Sequence, residues 1–183
     1  MDTEKEWNSE KTSKLTIILF AIYLLLLIGV ILFKLPFYSP DFFAEERTIN
    51  LIPFGGSFDE HGALLLRELL YNVLLYVPMG IYICMLKNEW SFVRKLYAII
   101  GFSLAVEVIQ YIFAMGRTDV TDLITNTLGG IIGIGISVIL FKIIKKNTIK
   151  IINIVALVIT ICIVAHFLYL FCLSHFVMMA PPN

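Results

Sequence analysis

The stretch LTIILFAIYLLLLIGVILFKL at residues 15–35 decides the fold class, because it is almost entirely apolar and about twenty residues long. An α-helix of roughly twenty residues crosses the ~30 Å hydrocarbon core of a bilayer. Further stretches of similar length and composition follow at residues 63–86, 92–115, 122–144 and 149–174. The sequence therefore predicts an all-α protein, an integral membrane bundle of about five transmembrane helices.

The composition leaves no room for a separate soluble domain. Of 183 residues, 59% are hydrophobic and 15% are charged, whereas a soluble domain has about a quarter of its residues charged. We therefore expect one membrane domain over residues 1–183, with residues 1–14 as a polar tail. The cysteines lie in apolar runs without metal-ligand spacing, and we predict no metal, no cofactor and no nucleic-acid partner.

The basic residues predict the orientation. Ten of the 14 lysines and arginines fall in the N-terminal tail and in the connections between helices 2 and 3 and between helices 4 and 5. Cytoplasmic segments of membrane proteins carry the excess of basic residues. The sequence therefore predicts a cytoplasmic N-terminus, and an extracytoplasmic position for the long connection before helix 2 and for the turn between helices 3 and 4.

Polar side chains on three helices fall at a similar depth near the extracytoplasmic side. Asn72 lies ~13 Å into helix 2, Glu107 ~12 Å into helix 3 and Asn126 ~6 Å into helix 4, at 1.5 Å per residue. Spacings of three and four residues extend each of them into a polar stripe on one helix face. Because lipid cannot hydrogen-bond such groups, we expect the stripes to face one another or a water-filled pocket.

Glu107 is the sharpest single candidate, because a carboxylate at that depth must be protonated or paired. The candidate partners are Arg47, Arg67 and Arg117. One interpretation is a buried ion pair that only fixes helix packing, and the other is a ligand-binding or catalytic site. The GxxxG spacing of Gly129 and Gly133 is explained by close helix packing alone.

Four segments in the same region also form a recognisable set: RTINLIPF at 47–54, NVLLYVPMG at 72–80, EVIQ at 107–110 and GRTDVTDLITNTLGGIIG at 116–133. In this order, with helices between them, they resemble the VanZ-like family of small bacterial membrane proteins, named after a teicoplanin-resistance protein. The resemblance covers about residues 20–145. Met79 stands where the family usually has leucine, and Asp119 comes one residue earlier than the first aspartate of the family pattern.

The resemblance implies a multi-pass protein of the bacterial cell membrane that lowers susceptibility to teicoplanin-type lipoglycopeptides. We predict an extracytoplasmic polar pocket for an amphiphilic or lipid-linked ligand. The expected partners are membrane lipids and a glycopeptide antibiotic or cell-wall precursor. The candidate ligand-binding residues are Arg47, Asn50, Asn72, Glu107, Gln110, Arg117, Asp119, Asp122 and Asn126.

Two alternatives stay open at this point. A membrane enzyme could use Glu107 and Asp122 as acid and base on an envelope lipid, two carboxylates set apart by their environments. The sequence contains no Ser–His pair or activated cysteine, so an enzyme is the less favoured interpretation. A small lipid transporter is the other alternative, since Pro78 and Gly80 interrupt helix 2. The oligomeric state is not predicted.

Overall fold

The computed structural model describes residues 14–33, 49–55, 57–58, 66–113 and 118–179. Nearly all of this part of the chain is helical, which confirms the all-α prediction. The helices are α1 (Lys14–Phe33), α2 (Leu66–Leu86), α3 (Phe92–Phe113), α4 (Val120–Ile144) and α5 (Thr148–Met179). Two short strands, β1 (Ile49–Asn50) and β2 (Thr118–Asp119), and a 3₁₀ turn, Lys145–Asn147, lie between them.

Two helix ends differ from the predicted ones by two residues or more, and α1 and α5 each begin one residue earlier than predicted. Helix α4 begins at Val120 rather than Asp122, because the Asp119 carboxylate caps it by accepting a hydrogen bond from the Thr121 backbone N–H at 2.8 Å. Helix α5 continues to Met179 rather than ending at residue 174, since no glycine or proline interrupts the chain before residue 181. The predicted start of helix 2 and end of helix 3 lie outside the described residues.

Helices α4 and α5 belong to one continuous apolar stretch. It covers the 47 residues Val120–His166 and is one of four candidate membrane-spanning stretches in the described residues. A continuous helix of that length would extend ~70 Å, more than twice the hydrocarbon thickness. The helix is interrupted at Lys145, where φ is 58°. Thr148 Oγ1 donates a hydrogen bond to the Lys145 carbonyl at 2.7 Å. Helices α4 and α5 are therefore separate helices, each long enough to cross a bilayer.

Helices α2 and α4 run parallel with their backbones in contact. A Cβ atom added to Gly129 would overlap the Val73 carbonyl, and one added to Gly133 would overlap the Val77 carbonyl. Gly80 of α2 meets the backbone of α4 in the same way. These small residues let the two helices approach closely, as the GxxxG spacing predicted.

The packed interior lies between α1, α2, α3 and α4. Tyr76 and Met79 of α2 pack there with Leu27, Ile99 and Ile134, one from each of the other three helices. The outward faces are apolar as well, since large hydrophobic side chains are exposed along every helix. A bundle with an apolar exterior fits a bilayer and not water. The chain is a membrane protein.

Hydrogen bonds attach α1 to its neighbours. Pro78 removes one backbone N–H from the middle of α2, and the Tyr23 hydroxyl of α1 donates to the Leu75 carbonyl beside this break at 2.7 Å. Asn153 Nδ2 of α5 donates to Thr16 Oγ1 of α1 at 2.9 Å, and both side chains are buried. Such bonds satisfy polar groups that lipid would leave unpaired.

Candidate functional site

Polar side chains gather at the end of the bundle where α2 and α4 begin and α3 ends. We call this group the polar layer, and it comprises the side chains of Asn50, Asn72, Tyr76, Ser103, Glu107, Asp119, Thr121, Asp122 and Asn126. Its members come from α2, α3 and α4, as the three stripes predicted, and also from the two short strands. The two strands contribute Asn50 and Asp119, which lie outside the helices. Helical periodicity does not predict where such residues lie.

Glu107 connects α3 to the start of α4. Its side chain is only 4% exposed, and its Oε2 atom accepts a hydrogen bond from the Asp119 backbone N–H at 3.3 Å. Its backbone carbonyl accepts a hydrogen bond from the Thr118 hydroxyl at 3.3 Å. A carboxylate aimed at a backbone N–H near a helix N-terminus is also favoured by the helix dipole. Glu107 therefore faces inward, toward the turn that precedes α4.

The segment around residues 49–54 docks onto that same turn. Strands β1 and β2 pair in parallel, with Asn50 opposite Asp119, and Asn50 Nδ2 donates to Asp119 Oδ2 at 2.9 Å. The Phe54 backbone N–H donates to Thr121 Oγ1 at 2.9 Å. Phe54 itself has a positive φ of 60°, an uncommon conformation for a bulky residue. The segment thus covers the N-terminus of α4 and is held by side chains of the layer.

Asn72 and Asp122 form the shortest side-chain contact of the layer, with Asn72 Nδ2 2.6 Å from Asp122 Oδ1. The pair joins α2 to the first turn of α4. A hydrogen bond to an ionised carboxylate is stronger than one between neutral groups, so this contact fixes the relative position of the two parallel helices at this depth.

Asn126 and Tyr76 lie near Ser103 of α3. Asn126 Nδ2 donates to Ser103 Oγ at 2.9 Å, while its Oδ1 atom makes no hydrogen bond to any described residue. The Tyr76 hydroxyl, whose side chain is fully buried, has no described partner with good hydrogen-bond geometry; Ser103 is close enough for a weak hydrogen bond, and Glu107 and Asp122 are further polar neighbours. Two buried oxygen atoms therefore lie in the layer with unused hydrogen-bonding capacity, which is rare and calls for an explanation.

Gln110 is buried at the same level but points elsewhere. Its Nε2 atom donates to the Ile31 carbonyl near the end of α1 at 3.1 Å. The helical stripe of α3 was expected to direct Gln110 toward Glu107 and the other polar helices. The structure places it instead against α1, about one helical turn nearer the end of α3 than Glu107.

Comparisons with known proteins address the same region. The VanZ/LLP1 family model matches residues 20–144, which is more than half of the chain. The chain belongs to the VanZ/LLP1 family. A curated relative, Protein VanZ of Enterococcus faecium, is 40% identical over 119 residues, which cover 63% of this chain and 69% of that protein. No solved structure matches the chain.

The VanZ/LLP1 match contains every predicted site residue and all of α2, α3 and α4, and it ends with α4. The structure brings together Asn50, Asn72, Glu107, Asp119, Asp122 and Asn126. Arg47 and Arg117, predicted to bind an anionic group, lie outside the described residues. Arg67, a further candidate partner of Glu107, is exposed in the first turn of α2. Ligand binding by these residues stays a prediction.

Two threonines that bond to neighbouring segments at this VanZ/LLP1 site were not predicted from the sequence. Thr121 is 1% exposed and accepts the Phe54 N–H, and Thr118 bonds the Glu107 carbonyl. Both threonines lie within the quoted segment at 116–133, but a hydroxyl carries no charge that would single it out. Asp119 was expected on a helical stripe and is instead the N-cap of α4. Among the described residues, no group of three or more His, Cys, Asp or Glu side chains could hold a metal ion.

Replacing the capping carboxylate tests whether the 49–54 segment is docked. We expect Asp119→Ala to lose both the Asn50 contact and the α4 cap, at a cost of about 1 kcal/mol for the cap alone. Hydrogen–deuterium exchange at the Ile52 and Phe54 amides should then become roughly fivefold faster or more. Glu89→Ala, an exposed acid in the distant α2–α3 connection, is the control. Unchanged exchange in Asp119→Ala would show that the segment is held by something else.

Proposed function

We propose that this VanZ/LLP1 member is a multi-pass protein of the bacterial cell membrane that lowers susceptibility to teicoplanin-type lipoglycopeptides. In this proposal the polar layer binds the polar part of an amphiphilic or lipid-linked ligand. The family membership and the likeness to Protein VanZ support the resistance role. The polar layer supports the binding role, because intramembrane ionisable residues on inward faces are functional candidates.

The unused oxygens of Tyr76 and Asn126 carry the binding part of the proposal. A polar atom buried in protein without a partner loses the free energy of its hydration, about 1–3 kcal/mol. Both atoms lie in the layer, so a ligand that reaches them would remove this cost. A ligand with hydroxyl or amide groups supplies both the donors and acceptors that these atoms lack.

The distribution of charge supports an outward-facing layer. The α2–α3 connection with Lys87, the first turn of α3 with Arg94, and the α4–α5 turn with Lys145 and Lys146 lie at the opposite end of the bundle from the polar layer. The excess of basic residues marks that end as cytoplasmic. The layer then lies in the outer half of the bilayer, where wall precursors and extracellular lipoglycopeptides are accessible.

The Tyr76 hydroxyl offers a clean test, because removing it should separate function from folding. We expect Tyr76→Phe to be about as stable as the wild type, since it deletes a buried hydroxyl whose only described hydrogen-bond partner, Ser103, is poorly placed. If that hydroxyl binds ligand, the resistance given by the wild-type protein should fall about fivefold to tenfold, the worth of one hydrogen bond. The readout is the teicoplanin concentration that inhibits a susceptible Gram-positive host, at matched protein levels.

Tyr97→Phe is the matched control, since Tyr97 is an exposed tyrosine of α3 far from the layer. Full resistance in Tyr76→Phe would contradict a role for this hydroxyl. A wild-type protein that gives no resistance in any host tested would contradict the resistance role itself. Mass spectra of lipids and wall precursors, with and without the protein, should contain the same chemical species. A new species would indicate catalysis instead of binding.

A further inference from the structure

A groove on the other side of the bundle is not used by the proposed function. It has a volume of about 460 Å³ and lies between α1, α2, α4 and α5. Its walls are formed by aliphatic side chains with Pro78 and Tyr82 of α2 and Ala156 of α5. Helix α5, which forms one whole wall, lies beyond the residues matched by the family model.

The groove is longer than one lipid leaflet. Along α5 its lining extends from Ile151 to Ile163, a rise of ~18 Å at 1.5 Å per residue. Half of a ~30 Å hydrocarbon core is ~15 Å. The lining also includes Ile144, the last residue of α4, so the groove begins at the α4–α5 turn. At its other end it reaches Val30 of α1 and Leu74 of α2, past mid-membrane.

Exposed lysines flank the lining residues at the α4–α5 end of the groove. Lys145 directly follows the lining residue Ile144, and Lys150 directly precedes the lining residue Ile151. Both lysines are exposed, as is Lys146. No aspartate or glutamate follows Asp122 in the chain, so neither α5 nor the turn before it supplies an acid to neutralise these lysines.

We propose that the groove holds an acyl chain of an anionic phospholipid of the cytoplasmic leaflet, with the lipid phosphate on Lys145 and Lys150. Basic pockets between transmembrane helices on the cytoplasmic side are suited to anionic headgroups. The apolar walls suit the chain, and the lysines suit the phosphate. A second copy of the protein fits less well, because a twofold interface presents the same patch on both subunits and would bring the two lysine clusters close together.

Native mass spectrometry of the full-length protein in detergent tests the headgroup contact. The probes are a palmitoyl-oleoyl phosphatidylglycerol and the phosphatidylcholine with the same chains, at low ionic strength. The double variant Lys145→Gln/Lys150→Gln should bind phosphatidylglycerol about 30-fold more weakly than the wild type, from about fivefold per lysine. The matched control is Lys87→Gln/Arg94→Gln, which removes two exposed charges from the same end of the bundle but away from the groove.

The groove itself is tested by Ala156→Phe, which fills it, against Ala165→Phe, the same change at an exposed position of the same helix. Loss of bound lipid in the first variant and retention in the second is the expected result. An equal effect of the two lysine pairs, or of the two phenylalanine variants, overturns the proposal. So does a wild-type dimer that Ala156→Phe dissociates, since the groove would then belong to a second copy. Teicoplanin susceptibility is a separate readout, and its outcome leaves this test unaffected.

Discussion

Gly133→Ala should clearly destabilise the protein, although it adds a single methyl group. The new Cβ atom would overlap the Val77 carbonyl of α2, and a backbone atom cannot move aside as a side chain can. The parallel helices α2 and α4 would have to separate along their contact. Overpacking of this kind costs about 1–3 kcal/mol and sometimes more, which corresponds to a melting temperature lower by roughly 10 °C.

Gly135→Ala is the matched control, because Gly135 is two residues away on α4 and a Cβ atom there would contact nothing within 4 Å. The same methyl group should leave stability unchanged or raise it, since alanine favours a helix over glycine by about 1 kcal/mol. The readout is the thermal melting of both variants in the same detergent. Equal melting temperatures for the two variants would show that α2 and α4 do not pack as described.

Asn72→Asp should be the most damaging single change within the polar layer. It places a second carboxylate in hydrogen-bond contact with Asp122, where Asn72 Nδ2 and Asp122 Oδ1 are 2.6 Å apart. Two charges ~3 Å apart repel by roughly 5 kcal/mol at an effective dielectric constant of about 20, unless one of the acids takes up a proton. We expect loss of folded protein from the membrane, measured by detergent extraction and size-exclusion chromatography.

A second substitution should reverse that loss. In Asn72→Asp/Asp122→Asn the donor and acceptor are exchanged, so the amide on α4 can donate to the carboxylate on α2 and the net charge is that of the wild type. The double variant should recover most of the folded protein, as expected for two residues in direct contact. A double variant as unstable as Asn72→Asp alone would show that the two side chains do not interact in the membrane.

Much of the fold could be predicted because the bilayer imposes strong rules. Apolar stretches of about twenty residues had to be helices, and polar stripes had to face inward. For this reason Asn72, Glu107 and Asn126 were expected at one level, and the structure buries all three at least in part. The glycines of α4 were expected to permit close packing, and they do so against α2.

The remaining features of the fold and the site depend on which helices and strands are neighbours. The periodicity of the sequence does not reveal this. Strands β1 and β2 are far apart in sequence and only two residues long each, so no alternating pattern announced their pairing. The direction of Gln110 depends on where the end of α1 lies, because that is where its side chain finds the Ile31 carbonyl. The groove beside α5 arises from four helices together, and no single helix carries a signal for it.

Teicoplanin susceptibility of cells carrying Glu107→Gln tests the central claim most directly. The glutamine keeps an oxygen atom for the Asp119 N–H, so the fold should persist while the carboxylate charge is lost. At wild-type protein level and melting temperature, we expect resistance to fall to that of cells with an empty vector. Wild-type resistance in Glu107→Gln, and likewise in Asn72→Ala and Arg117→Ala, would contradict a working site and leave the polar layer as helix packing alone.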